Sequence, residues 1–273
     1  MTYSLNECAE IWEESGRHGI PEERIQRASA WLDYYRFCAS QVSTEETPEH
    51  WTTDILLRGG LLRHGDTVLD IGAGTGDAAL SMAGYCRAVT ALDLSGASLD
   101  VLMSRARTNG ISNVKTVASA WESFRTDEKF DLVFSSMCPC ICGIDELRRM
   151  EGMSRRACCI VTVGKGSTDK HRSEMMRRLD IHPKGGMLTE ALHYYNALYL
   201  MGRQVNVTCQ TTHYDSLIPA EQVIEQYSVY FKIFGVPKDV SVPFLEGYLK
   251  ENTENGLLRE ISHINYVMLY WRI

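Results

Sequence analysis

Three glycines and three acids stand close together in this sequence. In VLDIGAGTGD, residues 68–77, Asp70 precedes Gly72 by two positions, Gly74 and Gly76 follow at alternate positions, and Asp77 closes the run. Glycine lets a backbone take left-handed angles and come close to a ligand. A G-x-G-x-x-G turn offers its helix N-terminus to a pyrophosphate. Here the order is G-A-G-T-G, and carboxylates on both sides would repel a diphosphate. They suit a ligand that carries an ammonium and a sulfonium. Asp93 ends the next apolar run, ALDL, 23 positions after Asp70. A spacing of roughly 20 residues is where a carboxylate meets ribose hydroxyls in such folds.

Two further groups could do chemistry. Cys138, Cys140 and Cys142 alternate in SSMCPCIC. Three thiolates could hold a soft metal or a metalloid, although zinc sites favour pairs separated by two to four residues. The bland reading is buried small residues, which also fits Cys158 and Cys159. Further on, His193, Tyr194, Tyr195 and Tyr199 recur within two helical turns. Polar-tipped aromatics of this kind can line a pocket or simply pack. His193 titrates near neutrality and is a candidate general base; Tyr194 and Cys138 are the other weak catalytic candidates. His213, Tyr214, Trp31, Tyr34 and Tyr35 are weaker pocket candidates still.

Charge narrows the partners. The formal net charge of −7 does not attract polyanions, so nucleic acid is disfavoured as a partner. The distribution is uneven: residues 1–60 carry 11 acids against 5 Lys/Arg, whereas 148–184 carry 10 Lys/Arg against 4 acids. Such a run is ordinarily a solvated face, or it draws an acidic molecule toward a cleft. No apolar run reaches the roughly 18 residues that would span a bilayer, so no membrane association is expected. Nothing at the N-terminus reads as a signal peptide. With nine cysteines, reduced thiols in the cytoplasm are the expectation.

The elements that would position these residues follow from periodicity. To about residue 60 the chain reads as helices. Pro21 suits a helix start, with Glu22 and Glu23 in the first turn, and Ile25, Ala28, Trp31, Leu32 and Tyr35 recur at helical spacing. A further helix is expected from near Pro48 to Gly59–Gly60. TVLDI, AVTALDL, NVKTVAS, FDLVFSSM and ACCIVTVG are short apolar runs suited to buried parallel strands, separated by helical stretches. The alternation predicts a doubly wound, mostly parallel sheet. Residues 167–204 read as helical, with strong periodicity from Met187 to Arg203. VNVTCQTTHYDSL alternates like a strand. Residues 219–258 read as helices broken near Gly235 and Pro237, and INYVMLYWRI closes the chain as a strand. The expected plan is an N-terminal helical segment (1–60), a Rossmann-like core (61–164), and helical cap insertions with the closing strands of a seven-stranded sheet (165–273).

Residues 68–77 resemble motif I of the class I (Rossmann-like) S-adenosylmethionine-dependent methyltransferases, and the likeness extends over roughly Thr67–Gly164. It implies S-adenosylmethionine as cofactor. By position it implies that Gly72, Ala73, Gly74 and Gly76 face its methionine part and that Asp70 helps to bind the ammonium. Asp93 would take the ribose hydroxyls and Leu94 the adenine. Ser119, Ala120 and Trp121 match the adenine side, with Trp121 equally readable as a core aromatic. Ser135, Ser136 and Met137 end the fourth strand, beside the departing methyl group. The Met137–Cys140 stretch lacks the aromatic that DNA amino-methyltransferases carry there, which counts against a flipped base.

The function expected from the resemblance is methyl transfer to a small-molecule acceptor, the helical segments excluding water. Two alternatives stay open. One is an RNA or protein methyltransferase docking through 148–184. The other is a metal-binding, metalloid-binding or cofactor-sensing protein built on the Cys138/Cys140/Cys142 cluster.

Overall fold

A computed structural model describes residues 4–15, 21–43, 50–181 and 190–273; the side chains of 13–15 and 21–28 lie outside it. The expected roles of Glu22, Glu23, Ile25 and Ala28, and the readings at Pro48, Lys184 and Met187, therefore fall outside the described residues.

Three helices come first: α1 (Leu5–Ser15), α2 (Pro21–Ser40) and α3 (Trp51–Arg58). Strands and helices then alternate: β1 (Thr67–Ile71), α4 (Asp77–Ala83), β2 (Ala88–Asp93), α5 (Gly96–Thr108), β3 (Val114–Ala118), β4 (Phe130–Ser136), α6 (Ile144–Met153) and β5 (Ser154–Val163). The remainder is β6 (Thr168–Asp169), α7 (Lys170–Arg178), α8 (Ala191–Leu200), β7 (Asn206–Pro219), α9 (Ala220–Lys232), α10 (Lys238–Asn252), β8 (Thr253–Glu254) and β9 (Leu257–Arg272).

The sheet runs β3-β2-β1-β4-β5-β9, with β7 on the far side of β9. The first five strands are parallel, and β9 and β7 join antiparallel. That is the expected doubly wound architecture. Two two-residue strands, β6 and β8, were not foreseen; both pair with β9 and are too short to leave a periodic signal.

Strand alternation divides the core in two. Val68, Val89, Ala91, Leu132, Phe134 and Met268 face α3, α4 and α5. Leu69, Ile71, Leu92, Val133, Ile160 and Trp271 face α1, α6 and α8. Cys158 and Cys159 fall on opposite faces and are both fully buried, as the bland reading had it.

The closing strand is longer than its apolar run suggests. Only residues 266–272 of β9 pair with β5; the earlier part pairs chiefly with β7. At about 3.4 Å per residue, this ribbon reaches roughly 30 Å beyond the sheet, on the side of the parallel strands' carboxyl ends. Around it α2, α7, α9 and α10 gather a separate core that includes Met175, Val223, Phe231, Leu245 and Leu258. This is the cap, and it stands where open α/β sheets bind ligands. Several charges of 148–184 pair with acids of other elements, Arg155 with Asp131, Arg156 with Asp66 and Arg178 with Glu251, and Arg148 and Arg177 pair within their own helices. Among the described residues no helix is long and apolar enough to cross a membrane.

Candidate cofactor and active site

The three glycines of the β1–α4 turn all adopt positive φ, at 76°, 55° and 95° for Gly72, Gly74 and Gly76, so side chains there would be strained. Their surroundings differ. A Cβ on Gly76 would lie 2.5 Å from Leu102 of α5, and one on Gly72 would lie 2.4 Å from the Cys138 thiol. Around a Cβ at Gly74 no atom of the described residues would lie within 4 Å. Gly76 thus serves helix packing and Gly72 the loop after β4, while Gly74 presents open backbone.

The end of β2 clamps this turn. Gly72 and Ala73 donate to the Leu92 carbonyl at 2.8 and 3.0 Å. One Asp93 oxygen accepts the Gly74 N–H at 2.8 Å and the other accepts Ser95 N–H at 2.7 Å. An ionised carboxylate has about four acceptor positions, so each oxygen can still receive a hydroxyl. Burial pushes the Asp93 carboxyl up, against these backbone bonds. The neighbouring Leu94 is half exposed. Asp77 does not act as a free anion. Arg105, 3% exposed, reaches from α5 to Asp77 at 2.5 Å and to the Thr75 carbonyl at 3.0 Å. No sequence pattern points to Arg105, because an arginine in mid-helix is ordinarily solvated.

Asp70 is buried, and its Oδ2 has no hydrogen-bond partner among the described residues. Burial, then the charges of Asp93 and Asp77, pushes its carboxyl up to about 8. An orphaned buried oxygen costs about 1–3 kcal/mol, and an ammonium would satisfy it. The donor set therefore fits a cationic ligand over open Gly74.

Beyond β3, Ser119 donates its N–H to the Asp93 carbonyl at 3.0 Å, and Ala120 leads into a single tight helical turn, Trp121–Ser123. Trp121 is 3% exposed and belongs to the core, yet its Nε1 has no hydrogen-bond partner among the described residues. Arg149 covers the ring at 3.9 Å.

At the end of β4, Ser135 is buried and donates its hydroxyl to the Ile71 carbonyl at 3.0 Å. Met137 has a φ of 53°, strain of the kind that gathers at functional sites, and donates its N–H to Val161. The strained residue sets Cys138 against Gly72, with Cys140 Sγ 3.2 Å from Cys138 Sγ. Cys138 first, then burial, raises the Cys140 thiol. Among the described residues no three His, Cys, Asp or Glu side chains converge as a metal-ion site.

The α8 aromatics do not converge on this site. Tyr194 is buried and donates to the Ile141 carbonyl at 2.6 Å, holding the cysteine loop. Tyr195 and Tyr199 stack on each other, both exposed. His193 stacks on Trp12, and burial lowers its pKa. Helix α2 supplies the facing aromatics instead. Tyr35 lies near enough to Cys138 and Asp93 for their charges to act on its hydroxyl, and Tyr34 hydrogen-bonds Cys38. His50 was also missed. Its Nδ1 is 2.6 Å from the Thr52 hydroxyl, and its ring meets Phe134 edge-on.

Residues 68–157 match a family model described as a methyltransferase domain. Among solved structures the chain is similar to a Bacillus halodurans protein provisionally named a methyltransferase, with 17% identity over 81% of this chain and 97% of that one and a TM-score of 0.50. It is similar to the YcgJ protein of Bacillus subtilis, with 16% identity, 82% and 98% coverage and a TM-score of 0.50. The [4+2]-cyclase SpnF matches with 16% identity, 92% and 96% coverage and a TM-score of 0.50. At these identities the likeness is one of fold. No curated protein sequence matches.

Proposed function

We propose that this chain is a class I S-adenosylmethionine-dependent methyltransferase that transfers the methyl group to a small molecule held beneath its cap, a reading that the methyltransferase-domain match over residues 68–157 supports. The observation that carries the reading is the buried Asp70 oxygen with no partner among the described residues, on the strand that leads into a turn whose middle glycine is open. The cofactor when bound supplies a methyl group on a sulfonium, a good leaving group for in-line displacement. The chain's own contribution is then positioning and exclusion of water. Asp70 takes the ammonium and Gly74 gives backbone access. Asp93 and Leu94 take the ribose and adenine, with Ala120 and Trp121 on the adenine side. Gly72, Ala73 and Gly76 shape the turn, and Ser135 fixes the end of β4 to β1.

Cys138 is the described side chain of the loop after β4 set directly against the turn, which favours it over His193 and Tyr194 as a group near the reacting atoms. The helical segment 1–60 and the insertions of 165–273 act as the cover over the core 61–164. Nine free cysteines fit a reducing, cytoplasmic setting. Calorimetry with S-adenosylhomocysteine tests the reading. Binding at about micromolar strength, weakened heavily by Asp93→Ala, is expected; no binding by the wild-type chain would overturn it.

A further inference from the structure

Two thiols meet in the loop after β4. Cys138 Sγ and Cys140 Sγ are 3.2 Å apart, in hydrogen-bond contact, and both side chains are partly exposed. Cys8, Cys86, Cys158 and Cys159, by contrast, are buried. The same Cys138 sulfur also packs against the cofactor turn, 2.4 Å from where a Cβ on Gly72 would stand. Gly72 and its neighbour Ala73 hang from the Leu92 carbonyl by their N–H groups. One sulfur atom therefore touches both a second thiol and the turn.

A disulfide needs its sulfurs about 2.05 Å apart, so closing this pair shortens the separation by roughly 1 Å. The loop decides which sulfur travels. Pro139, between the two, has a fixed φ. On the far side the Tyr194 hydroxyl donates to the Ile141 carbonyl at 2.6 Å and pins the chain just after Cys140. The movement falls on Cys138, whose backbone leaves Met137 at a φ of 53°, a strained angle that a shift can relax.

We propose that Cys138 and Cys140 are an oxidation site: a peroxide joins them in a disulfide that draws Cys138 off Gly72, loosens the glycine turn and weakens cofactor binding. The step balances. Two S–H bonds and the peroxide O–O bond break, one S–S bond forms, the thiols give up two electrons and two protons, and two waters leave. A bridge across a single intervening residue closes a tight ring, and strained disulfides are the readily reduced, regulatory ones. The inference rests on the methyl-transfer reading for the word cofactor, but its effect on the turn can be read without one.

The full chain would be treated with limiting hydrogen peroxide and compared with the reduced chain. Mass spectrometry should find a monomer lighter by two hydrogens, with the bridge placed by fragmentation at Cys138–Cys140. S-adenosylhomocysteine should bind about tenfold more weakly, dithiothreitol should restore it, and the amides of residues 72–74 should exchange faster with deuterium in the oxidised chain. Cys140→Ser should bind as the reduced wild type and keep its affinity after peroxide; reversal by dithiothreitol in the wild type makes the same test without a variant. No bridge, a bridge at Cys140–Cys142, a bridge that leaves affinity unchanged, or a loss that persists in Cys140→Ser would overturn the proposal. A reduced chain that never binds S-adenosylhomocysteine loses the transfer reading instead, and amide exchange at the turn then decides this one: unchanged exchange overturns it, faster exchange upholds the link from bridge to turn.

Discussion

The thiol of Cys138 fills the space that a side chain at residue 72 would need: a Cβ there would meet Sγ at 2.4 Å and the cysteine Cβ at 2.6 Å. Gly72 also has a φ of 76°. Gly72→Ala therefore forces either the turn or the loop after β4 to move. The left-handed backbone alone should cost about 1–2 kcal/mol, and S-adenosylhomocysteine binding should fall at least about tenfold. Urea unfolding and calorimetry read the two effects. A variant that binds as wild type would show that the contact is idle.

Asp93 both anchors Gly74 and stands where ribose is expected. Asp93→Ala should weaken S-adenosylhomocysteine by about a hundredfold, on the scale of losing two charge-assisted hydrogen bonds. Asp93→Asn keeps one acceptor oxygen and should lose less. Equal losses would leave the backbone anchor, rather than ribose recognition, as the residue's role.

Asp70 should make binding release a proton. Its carboxyl is pushed up to about 8 in the fold, whereas the unfolded value is near 3.9. Between those values the folded chain holds a proton that the unfolded chain has lost. The stability this contributes is complete below about pH 4 and disappears as the pH rises through about 8. An ammonium favours the ionised form and expels the proton. At pH 7 the apparent binding enthalpy should depend on the buffer's heat of ionisation, and Asp70→Asn should abolish that dependence.

Glu151 is buried between Arg203, at 2.8 and 2.9 Å, and the Trp271 indole N–H, at 2.8 Å. Removing one partner of such a network leaves the others unpaired. Glu151→Ala should destabilise the chain by about 3 kcal/mol, seen as a shift in the urea midpoint. Cofactor affinity, measured well below that midpoint, should be unchanged.

The cysteines should react with iodoacetamide in an order set by exposure and thiolate character. Cys209 is exposed and should react first. Cys158 and Cys159 are fully buried, and burial raises both thiols, so they should react only on unfolding. Peptide mapping by mass spectrometry gives the order; early labelling of Cys158 would contradict the sheet register.

The parallel core was legible because β1, β2, β4 and β5 are buried on both faces and read as largely apolar runs, and because Asp70, the three glycines and Asp93 sit at strand ends, where position alone assigns a role. The cap was less legible. INYVMLYWRI marks only the inner part of β9; the outer part, REISH, is exposed or half-buried throughout, so it carries no apolar pattern. Tyr194, Tyr195 and Tyr199 looked like a pocket lining by type and spacing. Tertiary packing decides otherwise, turning one inward to a carbonyl and two out to water. Arg105 was invisible because its meaning lies in partners distant along the chain, Asp77 and the Thr75 carbonyl.

The ribbon carries one more implication. The same strand is the sixth rung of the sheet at its carboxyl end and the spine of the cap at its beginning. Core and cap are therefore not separable modules. Trimming the chain at residue 164 would take away two rungs along with the cover and expose β5 as a raw edge, and exchanging caps between relatives would demand transplanting that spine intact.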